Sequence, residues 1–208
     1  MEPGYIAVEG PIGAGKTSAA LRLAERLGFE PLLESPGSNP FLPGFYREPV
    51  RYALPTQLSF LLQRVEQLDG LGAAARGRGT VADFMLDKDP LFAQLNLQGA
   101  ELELYRALYG RLAPRSLVPD CVVYLEAPPE VLLERVRQRR NAYERGVTLD
   151  YLQRLSDAYA RWLRGYTAAP ILIVNSERLN FVDRDDDFEL LLHRVRSLEG
   201  PREYFGFG

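Results

Sequence analysis

Short apolar runs alternate along the chain with longer stretches in which apolar residues recur every three to four positions. The runs occupy residues 5–8, 31–34, 80–83, 121–125 and 171–174. Short apolar runs bounded by turn residues favour buried strands, whereas the longer periodicity favours amphipathic helices. Because a helical stretch lies between successive runs, the pattern predicts an α/β domain in three layers, with a five-stranded parallel sheet between helices.

Glycine and aspartate residues mark where several of the helical stretches begin or end. Gly28 ends the first helix, and aspartates at 183 and 185–187 precede the last helix, where acidic groups are favourable. The glycine-rich residues 70–79 predict a loop, and the aromatic residues 204–208 predict no element. Helices are predicted at about 19–27, 51–68, 99–112, 130–140, 149–163 and 188–198. Since no repeat or linker interrupts this order, we interpret residues 1–208 as a single domain.

The segment between the first apolar run and the first helix matches the pattern GxxxxGK[ST] in full. Its glycines let backbone N–H groups turn inward around an anion, and the start of the following helix favours negative charge. In such a loop the lysine reaches the β- and γ-phosphates of a nucleotide, and the next hydroxyl ligates Mg²⁺. Lys16 and Thr17 are the residues predicted for these roles. The whole segment consists of Gly10, Pro11, Ile12, Gly13, Ala14, Gly15, Lys16, Thr17 and Ser18.

Two apolar runs end in a carboxylate, which should lie at the sheet edge where ligands of parallel α/β proteins bind. Asp83 ends the third run and is predicted to be a second ligand for Mg²⁺ beside the phosphate-binding loop. Glu34 ends the second run. It is either a solvated residue at a strand end or a general base near an attacking hydroxyl, which would make the site a phosphoryl transferase.

Gln57 and Arg64 place two polar groups in an otherwise apolar helical stripe. They are seven residues apart, so they lie on nearly the same face, about 10 Å apart along the helix axis. Either both lie at the margin of the stripe and reach water, or they are buried and face a ligand that supplies donors and acceptors.

Four arginines within six residues form a local basic run in an acidic protein: Arg135, Arg137, Arg139 and Arg140. Such a run is either a solvated helix face or a segment that binds phosphate. The second interpretation rests on the geometry of the guanidinium group, which matches phosphate oxygens in pairs and can stabilise a transferring phosphoryl group.

The composition excludes several classes of protein. Of 208 residues, 46% are apolar, which suits a full core, and the formal net charge of −3 argues against nucleic acid as the main partner. The single cysteine, Cys121, forms no internal disulfide and begins an apolar run, so it is expected to be buried. The single histidine, His193, lies among leucines of the last predicted helix and is assigned no chemistry. With no targeting segment and no apolar stretch of about 18 residues, a cytoplasmic location without membrane association is expected.

Together, the phosphate loop, the ligands for Mg²⁺ and the arginine run predict a site for a nucleoside triphosphate. A G protein requires an NKxD-type sequence, which the chain lacks. A protein kinase requires HRD and DFG sequences, and here Asp83 and Phe84 are followed by Met85. Among the remaining classes of protein that bind nucleoside triphosphates, Glu34 favours a kinase that transfers a phosphoryl group to an alcohol.

Several spaced motifs resemble those of the deoxynucleoside kinase family, in particular its bacterial purine members. They are EGPIGAGKTS, the strand ending at Glu34, NPFLPGFY, the helix from Gln57 to Arg64, the arginine run and Gly146. The resemblance covers about residues 4–180 and implies a P-loop kinase fold with an arginine-bearing lid. It also implies that a homodimer transfers the γ-phosphate of ATP, with Mg²⁺, to the 5′-hydroxyl of a purine deoxynucleoside.

The resemblance assigns roles to individual positions. Glu34 would take the proton from the 5′-hydroxyl, Gln57 would read the edge of the base, and Arg64 would support the base and the 5′ region. Tyr46 and Glu144 would hold the sugar 3′-hydroxyl. The lid over the phosphates would be formed by Arg135, Arg139 and Arg140, and residues 180–183 would lie near the adenine of ATP.

One position departs from the family pattern. Most members carry an acid, an arginine and a serine after the third strand, whereas this chain has Asp83, Phe84 and Met85. Phe84 cannot bind phosphate, so Lys88, the nearest cation, is predicted to replace the arginine with a point charge on a flexible stem. Two alternatives remain. An ATP-binding regulatory subunit that transfers nothing is kept open by this departure. A nucleoside monophosphate kinase would need further cationic contacts for the acceptor phosphate, which Phe84 makes scarcer.

Overall fold

A computed structural model describes residues 4–113 and 117–207, with the side chains of residues 72–78 left out. Its centre is a parallel sheet with the strand order β2-β3-β1-β4-β5-β6. The central strand is buried along its whole length, as expected for a strand covered on both faces. The strands are β1 (Tyr5–Glu9), β2 (Glu30–Leu32), β3 (Thr80–Ala82), β4 (Cys121–Glu126), β5 (Ile171–Asn175) and β6 (Arg202–Phe205).

The sheet has six strands in the described part of the chain, so the prediction of five was wrong. The additional strand, β6, begins at Arg202 and extends into the aromatic tail that predicted no element, and it pairs in parallel with β5. Its residues are half-buried or exposed, with 64% of Tyr204 accessible. A strand at the edge of the sheet with one covered side needs no continuous apolar run. Such a run was the signal that identified the other five strands.

The helices pack on both faces of the sheet, which confirms the predicted three-layer arrangement. Ile6 and Val8 point toward α1, α6 and α8, whereas Ala7 points toward α3, α4, α5 and most of α7. Cys121 is buried, as expected. The helices are α1 (Lys16–Leu27), α2 (Leu42–Phe45), α3 (Pro49–Arg78), α4 (Asp89–Asn96), α5 (Gly99–Leu112), α6 (Pro129–Arg139), α7 (Leu149–Gly165) and α8 (Asp185–Arg196).

Helix α3 continues ten residues beyond its predicted end at residue 68, because residues 70–78, predicted as a loop, extend it. Glycine within a helix costs about 1 kcal/mol relative to alanine, which is less than the burial of one large apolar side chain contributes. Leu68 and Leu71 are both buried against the body of the domain, so tertiary packing outweighs the local preference. Helix α8 likewise begins at Asp185, so three of the aspartates form its first turn.

Strand β1 lies between β3 and β4, so the chain continues to one side of it and later returns to the other. In open parallel sheets the crevice at such a reversal, at the carboxyl ends of the strands, is where ligands bind. The phosphate loop, Glu34 and Asp83 follow the carboxyl ends of β1, β2 and β3. The strand order therefore brings these three predicted features to one edge of the sheet.

Candidate active site

The loop between β1 and α1 has the geometry of an anion-binding loop. Gly13 and Gly15 have φ angles of 91° and 97°, in the left-handed region that favours glycine. A Cβ atom at Gly13 would lie 2.6 Å from the backbone oxygen of Leu132, so only glycine fits there. The N–H groups of Gly13, Gly15, Lys16 and Thr17 have no hydrogen-bond partner in the described chain. Four free donors at the start of a helix form a site for phosphate.

The Lys16 side chain closes this loop. Its Nζ atom donates to the backbone oxygens of Gly10 at 2.9 Å and Pro11 at 3.0 Å. Burial, and after it the nearby ammonium of Lys88, lowers the pKa of Lys16 to about 8. Lys16 still carries its charge at neutral pH, as a ligand for phosphate requires.

Thr17 and Asp83 meet at the base of the loop. The Thr17 hydroxyl donates to Oδ2 of Asp83 at 2.5 Å, and Oδ1 of Asp83 accepts a hydrogen bond from the Glu34 backbone N–H at 2.7 Å. A hydroxyl and a carboxylate oxygen adjacent to a phosphate loop form the kind of oxygen donor set that Mg²⁺ prefers. The two residues predicted as metal ligands therefore fit that ion by their chemistry and by their mutual position.

Glu34 lies two residues beyond β2, and its carboxylate is held by cations. Its Oε1 atom accepts from Nε of Arg64 at 2.7 Å and lies 2.5 Å from Nη2 of the same guanidinium. The ammonium of Lys88 is 3.6 Å away. Burial by itself would raise the pKa of Glu34, but Arg64 and Lys88 outweigh it and hold the pKa at about 2. The side chain is therefore ionised, oriented and only 16% exposed, which argues against a solvated strand end.

Arg64 also pairs with a second carboxylate that sequence analysis did not assign. Its Nη1 atom contacts Oδ1 of Asp89, and Oδ2 of Asp89 accepts a hydrogen bond from the Tyr105 hydroxyl at 3.2 Å. Asp89 is completely buried and Arg64 is 4% exposed. The alternative in which Arg64 reaches water at the margin of its helix is therefore wrong. Asp89 is the first residue of α4, and nothing in the sequence pattern around it indicates this pairing.

Gln57 is likewise buried, with 4% of its surface exposed, and its amide makes no hydrogen bond to any described residue. It lines a cavity of about 90 Å³ together with both cations that flank Glu34. The Thr56 hydroxyl, also buried beside this cavity, has no hydrogen-bond partner either. The lining residues are Ile12, Lys16, Glu34, Pro36, Leu42, Phe45, Tyr46, Thr56, Gln57, Phe60, Arg64, Lys88, Phe92, Tyr143, Glu144 and Tyr151.

The cavity is smaller than the roughly 300–1,000 Å³ typical of ligand sites, so a nucleoside requires a wall to move outward. One wall is the short turn Ala142–Glu144 between α6 and α7. Oε2 of Glu144 accepts from the Asn141 amide at 3.1 Å, and a Cβ atom at Gly146 would lie 2.4 Å from Cβ of Tyr46. Burial, more than any neighbour, raises the pKa of Tyr46, whose hydroxyl bonds to no described residue. Tyr46 and Glu144 both line the cavity, and the binding of the sugar 3′-hydroxyl by them stays a prediction.

The arginine run does not act as one cluster. Arg135 donates through Nη2 to the backbone oxygen of Ser176 at 2.6 Å, which ties α6 to the end of β5. Arg139 is half-exposed, with Nη1 4.0 Å from Oε1 of Glu144. Arg140 ends α6 with a φ of 55° and lines a separate open cavity beside Arg137. In the sequence these arginines form one basic run, whereas in the structure their side chains contact different neighbours.

Residues 180–183 lie beside the phosphate loop. A Cβ atom at Gly15 would be 3.4 Å from the ring of Phe181, and Arg22 of α1 donates to the backbone oxygens of Phe181 and Val182. The segment predicted to lie near the adenine of ATP is therefore adjacent to the loop that would bind its phosphates.

In the described residues, no helix combines the length and the hydropathy needed to cross a membrane.

Comparisons with known proteins agree with this geometry. A family model described as deoxynucleoside kinase matches residues 6–198. The deoxyguanosine kinase of Bacillus subtilis is 30% identical over 200 residues, which are 93% of this chain and 97% of that protein. The deoxyadenosine kinase of Lactobacillus acidophilus is 30% identical over 191 residues, 85% of this chain and 87% of that protein. A solved structure of deoxyadenosine kinase from M. mycoides with bound dATP has the same fold, with a TM-score of 0.79, 23% identity and coverage of 93% and 100%.

Proposed function

The chain belongs to the deoxynucleoside kinase family and is a kinase, and we propose that it transfers the γ-phosphate of ATP to the 5′-hydroxyl of a purine deoxynucleoside. The two relatives described above are a deoxyguanosine kinase and a deoxyadenosine kinase, which supports a purine. The Gln57 amide presents both a donor and an acceptor, so it can bind the edge of either purine.

One observation carries the proposal: the carboxylate of Glu34 and the ammonium of Lys16 line the same cavity. Lys16 belongs to the loop that would bind the donor phosphates, and Glu34 is an oriented anion beside the space for an acceptor. Phosphoryl transfer depends mainly on positioning and on neutralising charge, and the acceptor hydroxyl needs one group that takes its proton. Glu34 would serve as that group.

The remaining lining residues would position the nucleoside. Tyr46 and Glu144, adjacent across the cavity wall, would bind the sugar 3′-hydroxyl, and Gln57 would bind the base. Lys88 would approach the transferred phosphoryl group in place of the arginine that Phe84 replaces. Arg135, Arg139 and Arg140 would contribute to the lid, of which Arg139 lies nearest to Glu144.

Mg²⁺ would be held by Thr17 and Asp83, and when bound it neutralises charge on the donor phosphates. The Glu34 backbone N–H keeps Asp83 oriented toward Thr17, because it occupies the other carboxylate oxygen. The position of Glu34, the proposed general base, is thereby linked to the position of Asp83, the proposed metal ligand.

A nucleoside monophosphate is a less suitable acceptor. It would bring a second phosphate beside Glu34, where the nearest guanidinium, that of Arg64, is already paired with Glu34 and Asp89. Binding a further anion there would therefore break existing ion pairs, which is costly in a buried site. A neutral 5′-hydroxyl needs no such exchange. Membership of a kinase family also argues against a subunit that only binds ATP.

We further infer a homodimer that covers part of the helical surface. Leu62 on α3 and Leu104 on α5 are each 49% exposed, and these two helices pack against each other. Large apolar side chains exposed on neighbouring helices are typical of a surface covered by another chain. Light scattering during size-exclusion chromatography of the wild type and of Leu62→Glu tests this inference.

The experiment that tests the function is an ADP-release assay with ATP, Mg²⁺ and a panel of acceptors. The panel contains deoxyadenosine, deoxyguanosine, deoxycytidine, thymidine and the corresponding monophosphates. We expect the highest kcat/KM with a purine deoxynucleoside and at least tenfold lower values with the monophosphates. A preferred monophosphate, a preferred pyrimidine or no ADP release with any acceptor would contradict the proposal.

A further inference from the structure

The last residue of β1, Glu9, has a completely buried carboxylate immediately before the phosphate loop. Its Oε2 atom accepts from the Gly10 N–H at 3.1 Å and from the Tyr159 hydroxyl at 2.9 Å. Its Oε1 atom accepts from the Met85 N–H at 2.8 Å. Three donors from three different elements restrain this carboxylate, because moving it would leave a buried charge without its hydrogen bonds.

Lys88 has the opposite character, since its ammonium is carried by a flexible stem of four methylene groups. The residue is 2% exposed, and its Nζ atom lies 3.4 Å from Oε1 of Glu9 and 3.6 Å from Oε1 of Glu34. The ammonium is therefore placed by two carboxylates rather than by its own backbone. One of these carboxylates is fixed beside the phosphate loop, and the other lies on the acceptor side of the cavity.

The two carboxylates are not equivalent partners. Glu34 is already paired with the Arg64 guanidinium, whereas Lys88 is the cation closest to Glu9 among the described ion pairs. Without the charge of Glu9, Lys88 would retain only Glu34, and attraction between these two would draw the ammonium toward the acceptor side. Glu9 thus opposes the attraction of Glu34 for the Lys88 ammonium.

We propose that Glu9 is a positioning residue, which keeps the Lys88 ammonium between the phosphate loop and Glu34, where it can meet the transferred phosphoryl group. Tyr159 acts one step further away, because its hydroxyl helps to fix the carboxylate that places Lys88. This inference rests on the proposed function, which assigns Lys88 to the phosphoryl group. It adds that the position of Lys88 is determined by a residue that does not itself touch either substrate.

Glu9 could instead contribute only to the stability of the domain, since it links β1 to the segment after β3. A double-mutant cycle separates the two roles. The variants are Glu9→Gln, which retains an acceptor oxygen but loses the charge, Lys88→Met, which retains the length of the stem, and the combination of both. For each variant kcat, the KM of ATP and of the preferred deoxynucleoside, and the melting temperature are measured, with activity assayed well below melting.

We expect each single variant to lower kcat by about tenfold or more, with the KM of the nucleoside changed by less than about threefold. The double variant should lose no more activity than Lys88→Met alone, because Glu9 acts through Lys88. If the losses of the two single variants multiply in the double variant, or if Glu9→Gln retains the wild-type kcat, the inference is wrong. A lower melting temperature with unchanged kcat would show a structural role only.

A milder pair of variants covers the case in which Glu9→Gln does not fold. Tyr159→Phe removes one hydrogen bond to Glu9 and should lower kcat by about two- to fivefold, an effect that should vanish in the Lys88→Met background. Tyr124→Phe is the matched control, because the Tyr124 ring is 5.5 Å from that of Tyr159 but its hydroxyl bonds to no described residue. Equal effects of the two substitutions on kcat would overturn the inference.

The outcomes also distinguish this inference from the proposed function. If the wild type releases no ADP with any deoxynucleoside, the function itself is wrong. If the wild type is active and Lys88→Met has the wild-type kcat, Lys88 has no part in transfer and the role of Glu9 fails with it. If Lys88→Met is impaired but the cycle shows independent effects, the function stands and only the positioning role of Glu9 is excluded.

Discussion

The Nε atom of Arg64 donates a hydrogen bond of 2.7 Å to Oε1 of Glu34, which joins the middle of α3 to the segment that follows β2. The contact holds the carboxylate in one orientation and favours its charged form. In the proposed reaction this fixed carboxylate would orient the acceptor hydroxyl as well as take its proton. That suits phosphoryl transfer, in which positioning and electrostatics dominate.

Replacing Glu34 with glutamine removes the proton acceptor but preserves the shape of the side chain. We expect kcat to fall by about 10²- to 10⁴-fold, the range for loss of a general base, as measured by ADP release. The substitution also leaves Arg64 without one of its anions, so the melting temperature is measured in parallel. A folded Glu34→Gln variant with turnover within about threefold of the wild type would remove Glu34 from the mechanism.

The same ion pair predicts how stability depends on pH. The pKa of Glu34 is about 2 in the folded protein, below its ordinary value, because Arg64 and Lys88 outweigh burial. Its contribution to the free energy of unfolding is therefore complete above about pH 5 and is lost as the pH falls toward 2. Between pH 6 and pH 3 the loss from this group should be about 2 kcal/mol.

Urea unfolding at several pH values measures this dependence in the wild type and in Glu34→Gln. The wild type should lose more stability than the variant over the interval, since other carboxylates titrate in both proteins alike. Parallel curves for the two proteins would mean that the ion pair does not shift the pKa of Glu34.

Gln57 should have opposite effects on folding and on binding. Its amide faces the cavity and has no partner in the described chain, and holding a polar group in a largely buried site without a partner is unfavourable. Gln57→Leu should therefore raise the free energy of unfolding by about 1 kcal/mol and lower kcat/KM for the nucleoside by about 10- to 100-fold. The control is Gln63→Leu, because Gln63 lies on the same helix and bonds to the exposed Ser38 hydroxyl.

Unfolding and steady-state kinetics of both variants check this prediction. Gln63→Leu should leave kcat/KM within about twofold of the wild type. An unchanged kcat/KM in Gln57→Leu would exclude base recognition by that side chain, and a large loss of stability would contradict the absence of a protein partner.

Arg140 has a φ of 55°, the single non-glycine residue of the described chain in the left-handed region. Because glycine adopts this conformation without strain, Arg140→Gly should raise the free energy of unfolding by about 0.5–1 kcal/mol. Arg137→Gly, in the last turn of α6, should instead lower it by up to about 1 kcal/mol, because Arg137 has a helical backbone. Denaturant unfolding measures both changes, and a destabilised Arg140→Gly would contradict the strain. The kcat of Arg140→Gly tests in addition whether this arginine contributes to the lid.

Local motifs were predicted well from the sequence. The phosphate loop is contiguous, and its glycines and lysine act on neighbouring backbone atoms, so its conformation follows from the residues at hand. The five apolar runs likewise correspond to strands. Four of these strands are buried along nearly their whole length and are therefore apolar, whereas the edge strand β2 is exposed or half-buried. The helical extension over residues 70–78 and strand β6 were missed, because packing and edge pairing decide them and local preference does not.

In the site, too, some features were predictable from the local sequence and others depend on tertiary packing. Glu34 and Asp83 could be assigned to the ligand edge because strand ends of a parallel sheet converge there. The pairing of Arg64 with Glu34 and Asp89, and of Lys88 with Glu9, joins residues that are distant in the sequence. Helical period shows which face carries Arg64, but not which anions approach that face.

The sequence by itself determined the fold class, the phosphate loop and the identity of the charged groups, because these depend on local pattern and on the chemistry of side chains. Only the tertiary structure decided which charges are buried together and how each is paired. Ion pairing depends on distance and on exclusion of water, and both arise when elements far apart in the chain pack against one sheet.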